Sequence, residues 1–202
     1  PDLRDLPGPG SDPASEPRPG RLTNPGLAVA PFIALEEPTQ ADRAFVFPGQ
    51  GAQSVGMGKD LYDEFPSARE LYDRADDILG FKLSQLCFEG PEEELQQTRN
   101  SQPAIAVTSL ALLKVATELN PALLRKPAYV AGHSLGEYPA LVASGALPFE
   151  EAIRLLRTRG ELMQAAGDKN PGTMAAVLGL DIPDCEEVCR EAGAEVCNLN
   201  AP

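Results

Sequence analysis

The residues best placed to do chemistry in this sequence form the pentad Gly132-His133-Ser134-Leu135-Gly136, a G-x-S-x-G pattern. A serine between two glycines suits a strand that turns sharply into a helix, because the absent side chains relieve crowding at the corner and the hydroxyl projects alone. The helix that follows begins with amides that have no intrahelical acceptor and with the positive end of the helix dipole, both of which favour a developing oxyanion. Tyr129-Val130-Ala131 reads as a strand and Leu135 onward as a helix, so the local sequence supplies both arms of such an elbow. On spacing alone, an ordinary glycine-rich turn remains the competing reading.

A serine nucleophile needs a base within hydrogen-bond reach. The chain contains one histidine, His133, immediately before the serine. Neighbouring residues at a strand-to-helix corner project in different directions, so His133 is not expected to serve Ser134. Arg154, Arg157 and Arg159 lie on a helix expected over 149–166. An arginine on an amphipathic helix is ordinarily a solvated surface charge, and Arg154 and Arg157 are read that way. The four cysteines, Cys87, Cys185, Cys189 and Cys197, show neither a CxxC pair nor a nearby histidine, so they read as buried thiols in a reducing compartment and no metal site is expected.

Elements that must position the pentad follow from the apolar pattern. Ala44-Phe45-Val46-Phe47 is a short run stopped by Pro48-Gly49, as in a buried strand. Helices are expected at Pro66–Leu79, with Gly80 as its C-cap, at Pro91–Gln97, and at Pro103–Leu119, which is apolar nearly all round. Ala128–Ala131 is a second strand, followed by helices at about 135–145 and 149–166. Met174–Leu180 and Glu195–Leu199 read as strands flanking a helix at Pro183–Ala192. This alternation implies an α/β fold, a parallel sheet with helices on both faces. Residues 1–40 hold nine prolines by count in the sequence and little periodic pattern, and are read as a flexible Pro/Gly-rich leader. The folded core is then expected over 41–171, with a smaller unit over 172–202.

Composition excludes several classes of function. Seventeen Lys and Arg against thirty Asp and Glu give a net charge of −13, which disfavours nucleic acid and anionic membrane surfaces as partners. No apolar run reaches the length of a membrane span. The amino terminus shows no basic stretch followed by an apolar core, and the chain begins at Pro1 rather than Met, which leaves room for an earlier targeting segment.

Several blocks, taken together, resemble one family. Phe47-Pro48-Gly49-Gln50-Gly51-Ala52-Gln53 with Gly56-Met57-Gly58, Gly132 to Tyr138, Arg159-Gly160 with Leu162-Met163-Gln164, Met174-Ala175-Ala176 and Asn198-Leu199-Asn200 fall in the order and spacing of malonyl-CoA:acyl carrier protein transacylases. The resemblance covers residue 43 to the end. It implies a hydrolase-like α/β core followed by the first half of a ferredoxin-like subdomain, and Ser134 as the nucleophile that carries a malonyl group as an ester. It implies backbone N–H groups of Gln50 and Leu135 as oxyanion donors. Arg159 is implied as the residue that holds the malonyl carboxylate, His133 and Asn200 as further residues lining the substrate site. A guanidinium fork pairs with a carboxylate through two parallel hydrogen bonds, whereas an acetyl group offers it nothing.

The resemblance further implies malonyl-CoA as substrate with no cofactor, acyl carrier protein as partner, a role in fatty-acid biosynthesis and a monomer when complete. The family's base is a histidine downstream of the Asn-x-Asn segment, which places it beyond Pro202 and leads to the expectation of a truncated chain inactive by itself. Stretches such as Ser101 to Ile105 and Val107 to Leu110 resemble plastid-type members, so plastid stroma is the expected compartment, with cytoplasm or mitochondrial matrix as alternatives. A polyketide-type acyltransferase, a serine hydrolase and a catalytically inactive binding module share enough of these features to remain open at this point.

Overall fold

A computed structural model describes residues 43–121 and 127–199. In chain order the elements are β1 (Ala44–Phe47), α1 (Lys59–Glu64), α2 (Pro66–Leu79), α3 (Leu83–Glu89), α4 (Glu92–Leu95), α5 (Thr98–Leu119), β2 (Tyr129–Gly132), a 3-10 turn (Ser134–Gly136), α6 (Glu137–Ala143), α7 (Phe149–Lys169) and α8 (Ile182–Ala192). The chain is α/β, as its alternation implied. The leader expected over 1–40, together with Asn200, lies outside the described residues.

Helix boundaries follow local chemistry. Proline opens α2, where its missing N–H costs nothing, and Gly80 closes it in the left-handed region at φ 73°, its amide donating to the Asp76 carbonyl at 2.9 Å. Asp76 then reaches across to α3, accepting from the Ser84 amide at 2.8 Å and the Ser84 hydroxyl at 2.6 Å, so a buried carboxylate is fully partnered. The long helix α5 starts at Thr98, five positions before the proline that sequence pattern suggested as its start. Pro103 is thus an interior residue, and it leaves the Arg99 carbonyl without its usual helical donor. Arg157 of α7 supplies one, its Nη1 donating to Arg99 O at 3.2 Å and to Asn100 Oδ1 at 2.7 Å. The reading of Arg157 as a solvated surface charge is therefore corrected: it clamps α5 to α7, with its guanidinium 5.1 Å from the centre of the Phe81 ring. Arg154 pairs with Glu151 at 3.2 Å on the exposed face, as expected.

Three helices build the main core. Ala68, Leu71, Tyr72 and Ala75 of α2 pack against Val107, Leu110, Ala111 and Val115 of α5 and against Phe149, Ala152 and Ile153 of α7, all of them buried. Each buried side chain of leucine size contributes about 1.5–3 kcal/mol of transfer free energy. β1 and β2 pair in parallel, with Phe47 opposite Gly132. Phe45, Phe47 and Val130 lie on the sheet face covered by Ala140 and Ala143 of α6 and Leu113 of α5. The opposite face is open among the described residues: Val46 is 73% and Tyr129 72% exposed. β1 is accordingly half-buried, not the fully buried strand its apolar run suggested.

A correction also applies beyond α7. The expected helix forms as α8, but Met174–Leu180 and Glu195–Leu199 are not strands. An extended segment becomes a strand only by pairing its amides and carbonyls with a neighbour, and neither segment has one among the described residues. Cys87 is buried, but Cys185 and Cys189 are partly exposed and Cys197 is exposed, which corrects the expectation of four buried thiols. Among the described residues no helix is long and apolar enough to cross a membrane.

Candidate active site

The elbow forms at the end of β2. His133 is still extended, and Ser134 then adopts φ 55°, a left-handed conformation that a serine holds only against strain. Ser134 itself opens the 3-10 turn that leads into α6. Two backbone hydrogen bonds hold the corner: Gly136 N donates to His133 O at 2.9 Å, and His133 N donates to Phe47 O at 3.1 Å, tying the turn to β1. Both flanking glycines are required by close approach. A Cβ on Gly132 would collide with the Gly136 carbonyl, and one on Gly136 would collide with the carbonyl oxygens of Phe47 and Pro48. The serine itself is exposed.

Beneath the nucleophile, the side chain of Leu135 is fully buried among Ile105 and Ala106 of α5 and Leu156 of α7. That anchor fixes the elbow to the helical core and leaves only the main chain of Leu135 facing the serine side. The loop after β1 lies against the same corner. Gly49 packs so tightly on the His133 imidazole that a Cβ there would overlap Nδ1. Gln50 follows, its side-chain amide donating to Thr98 Oγ1 at 3.5 Å, and Gly51 N donates to Gln53 Oε1 at 2.8 Å. Gln50 thus lies between the elbow and the first turn of α5. The His133 ring lies against this loop, at Gly49.

Arg159 reaches the serine from α7. Its Nη2 donates to Ser134 Oγ at 3.0 Å, so the two residues are brought together although 25 positions separate them. Its Nη1 donates to Gln102 Oε1 at 2.6 Å. Gln102 belongs to α5 and is fully buried. The sequence carries no clear signal for it: Gln102 follows four polar residues, Thr98 to Ser101, just before the apolar run that begins at Pro103, and only its burial shows that its amide must find partners. A chain of net charge −13 therefore presents a guanidinium at its exposed serine, an arrangement suited to an acyl group that carries its own negative charge.

Two titratable groups, Cys87 and Tyr72, lie in the core away from the serine. Burial pushes the Cys87 thiol up to about 12, so it is neutral at physiological pH. Burial also raises the Tyr72 phenol, which shares a hydrogen bond of 2.7 Å with Thr108 Oγ1 in the core. Among the described residues no cluster of His, Cys, Asp and Glu is arranged to hold a metal ion.

The family model described as acyl transferase domain matches residues 44–195. The malonyl CoA-acyl carrier protein transacylase of Bacillus subtilis strain 168 is 48% identical over 164 residues, covering 79% of this chain and 50% of that protein. Among solved structures, malonyl-CoA:acyl carrier protein transacylase from Xanthomonas oryzae pv. oryzae superposes with a TM-score of 0.70 at 44% identity, covering 76% of this chain and 48% of that one. A malonyl-transacylase solved in complex with its type II PKS acyl-carrier protein gives a TM-score of 0.64 at 41% identity, covering 73% and 47%. The chain spans about half the length of the relatives it matches.

Proposed function

Since this chain belongs to the acyl transferase domain family, we propose that it carries the nucleophile and the acyl-selecting arginine of an [acyl-carrier-protein] S-malonyltransferase working in fatty-acid biosynthesis. The observation that carries the reading is the 3.0 Å contact between Arg159 Nη2 and Ser134 Oγ. It puts a carboxylate-binding group within one acyl unit of the nucleophile. In the first half-reaction Ser134 Oγ attacks the thioester carbon of malonyl-CoA, the C–S bond breaks, and the thiol of coenzyme A leaves with the proton that the serine gave up. In the second, the phosphopantetheine thiol of acyl carrier protein attacks the ester carbon, the C–Oγ bond breaks, and Ser134 leaves as a hydroxyl with the proton that the thiol gave up.

Developing negative charge on the carbonyl oxygen is assigned to the backbone amides of Gln50 and Leu135. The malonyl carboxylate is assigned to Arg159, exchanging places with the serine hydroxyl as the guanidinium's partner. An acetyl group offers no such exchange and leaves the arginine unpaired, which is the basis of selection. The base for Ser134 is a group other than His133, whose ring faces Gly49. The solved relative bound to its own carrier protein supports acyl carrier protein as the partner, and the reaction needs no cofactor beyond its thioester substrate.

For compartment we propose a reducing one, plastid stroma first, on the support of four cysteines that are all free thiols. The whole protein is read as a monomer. The test of function is direct. Labelled malonyl-CoA should leave a covalent adduct on the whole protein, and Ser134→Ala should abolish it; an undiminished adduct in that variant refutes the assignment.

A further inference from the structure

Gln102 stands out because it is a polar side chain with no exposure, set in the helix that supports the nucleophile and linked to the residue that meets the substrate. Both ends of its amide are used. Oε1 accepts from Arg159 Nη1 at 2.6 Å, and Nε2 donates to Met163 Sδ at 3.3 Å. The sense of the amide follows from chemistry: a guanidinium has only donors, so the carbonyl end must face it. Met163 lies one helical turn beyond Arg159, so α7 presents the arginine and the sulfur to Gln102 from a single face.

The helices approach closely enough for this contact only because residue 160 has no side chain. A Cβ on Gly160 would stand 2.6 Å from Arg99 Cα and 2.7 Å from Thr98 O. Arg157 reinforces the same crossing by donating to Arg99 O. Two features of α7 therefore hold the first turns of α5 in place, and Gln102 transmits that placement to Arg159.

The charge state of the partner matters as much as its position. A neutral carbonyl fixes the guanidinium by hydrogen bonding and leaves its charge uncompensated, whereas a glutamate at 102 would pair with it and compete with an incoming carboxylate. With Nη1 held, Nη2 stays directed at Ser134. We propose that Gln102 is a positioning residue for acyl selection, pinning Arg159 by a neutral acceptor so that its free donors face the reacting serine. This inference rests on the malonyltransferase reading.

The experiment compares ester formation on Ser134 from malonyl-CoA and from acetyl-CoA, in the whole protein, for the unaltered chain, Gln102→Leu, Gln102→Glu, Arg159→Ala and the double variant Gln102→Leu/Arg159→Ala. Loss of a hydrogen bond to a charged group should lower the malonyl-to-acetyl loading ratio roughly tenfold to a hundredfold in Gln102→Leu, mainly through KM for malonyl-CoA. Gln102→Glu, which keeps the side chain's volume, should lower the ratio at least as far. In the double variant the leucine should add nothing to Arg159→Ala, because Gln102 acts through the arginine. Equal losses for malonyl and acetyl, full additivity in the double variant, or an unchanged ratio in Gln102→Glu would overturn the proposal. If thermal melting shows that Gln102→Leu does not fold, Gln102→Glu decides alone. Failure of the underlying reading looks different: the unaltered protein then forms no malonyl ester on Ser134.

Discussion

Two regions of this chain start from similar sequence signals and end differently. Residues 44–169 alternate apolar strand runs with amphipathic helices, and so do residues 174–199. In the first region β1 and β2 pair, and α2, α5 and α7 bury a shared core. In the second only α8 forms, and no residue from 161 to 199 is buried; Leu178 is 90% exposed. The contrast shows what each element needs. A helix closes its hydrogen bonds within itself, so Asp181, proline in the first turn and Gly193 in the left-handed region at φ 68° suffice to delimit α8. A strand satisfies its backbone only through a neighbour, and a core contributes stability only where apolar faces meet.

The contrast can be broken most forcefully in the core. Leu110→Ala removes a fully buried side chain and should destabilise by about 2–5 kcal/mol, whereas Val188→Ala on α8 should change stability by less than about 0.5 kcal/mol. Chemical denaturation of the two variants checks this, and similar shifts in both would mean that α8 packs against something. Next in size is the helix crossing. Gly160→Ala forces α7 away from the Thr98–Arg99 backbone and should cost about 1–3 kcal/mol, with a matching loss of malonyl loading. Gly172→Ala, whose nearest neighbour is 4.0 Å away, should leave the melting temperature unchanged.

Arg157→Met keeps much of the side-chain bulk but strands the Arg99 carbonyl and Asn100 Oδ1, and should cost about 1–2 kcal/mol. The same change at Arg154, which pairs with Glu151 on the exposed face, should be close to neutral, so equal effects in thermal melts would restore the surface-charge reading for both.

The smallest expected effect concerns the Arg74–Glu150 pair joining α2 to α7. Partial burial raises the Glu150 carboxyl, but the hydrogen bond and charge of Arg74 outweigh it and hold the group below its ordinary value of 4.5. A depressed carboxyl stabilises the fold above its unfolded-state pKa, and that contribution disappears as pH falls through the folded value. Both side chains are 40% exposed, so screening keeps the contribution under about 1 kcal/mol. Denaturation midpoints of the unaltered chain and Glu150→Gln should differ slightly at neutral pH and converge on acidification below 4.5. A gap that widens in acid would contradict the assigned sign.

Much of the elbow was legible from residue types, because its requirements are local. Two glycines, a serine between them, and a strand and helix on either side specify a corner whichever way the rest of the chain folds, and φ 55° at Ser134 is that corner. Gly80 as the stop of α2 is equally local. The start of α5 was not legible. A proline usually opens a helix, and here the carbonyl that Pro103 leaves without a donor, that of Arg99, is met by Arg157 from 58 positions further along the chain. Gln102 was hidden by the same boundary.

What the sequence determined by itself, then, is the α/β alternation, the helix ends fixed by proline and glycine, and the serine's place on a tight turn, since backbone sterics act over a few residues. Tertiary structure alone decided that β1 and β2 adjoin, that Arg157 is a clamp while Arg154 is not, and that Arg159 lies 3.0 Å from Ser134 with Gln102 behind it. Those outcomes depend on how closely α5 and α7 pack, a distance set by a glycine on one helix and the backbone of another, which no single stretch of chain contains.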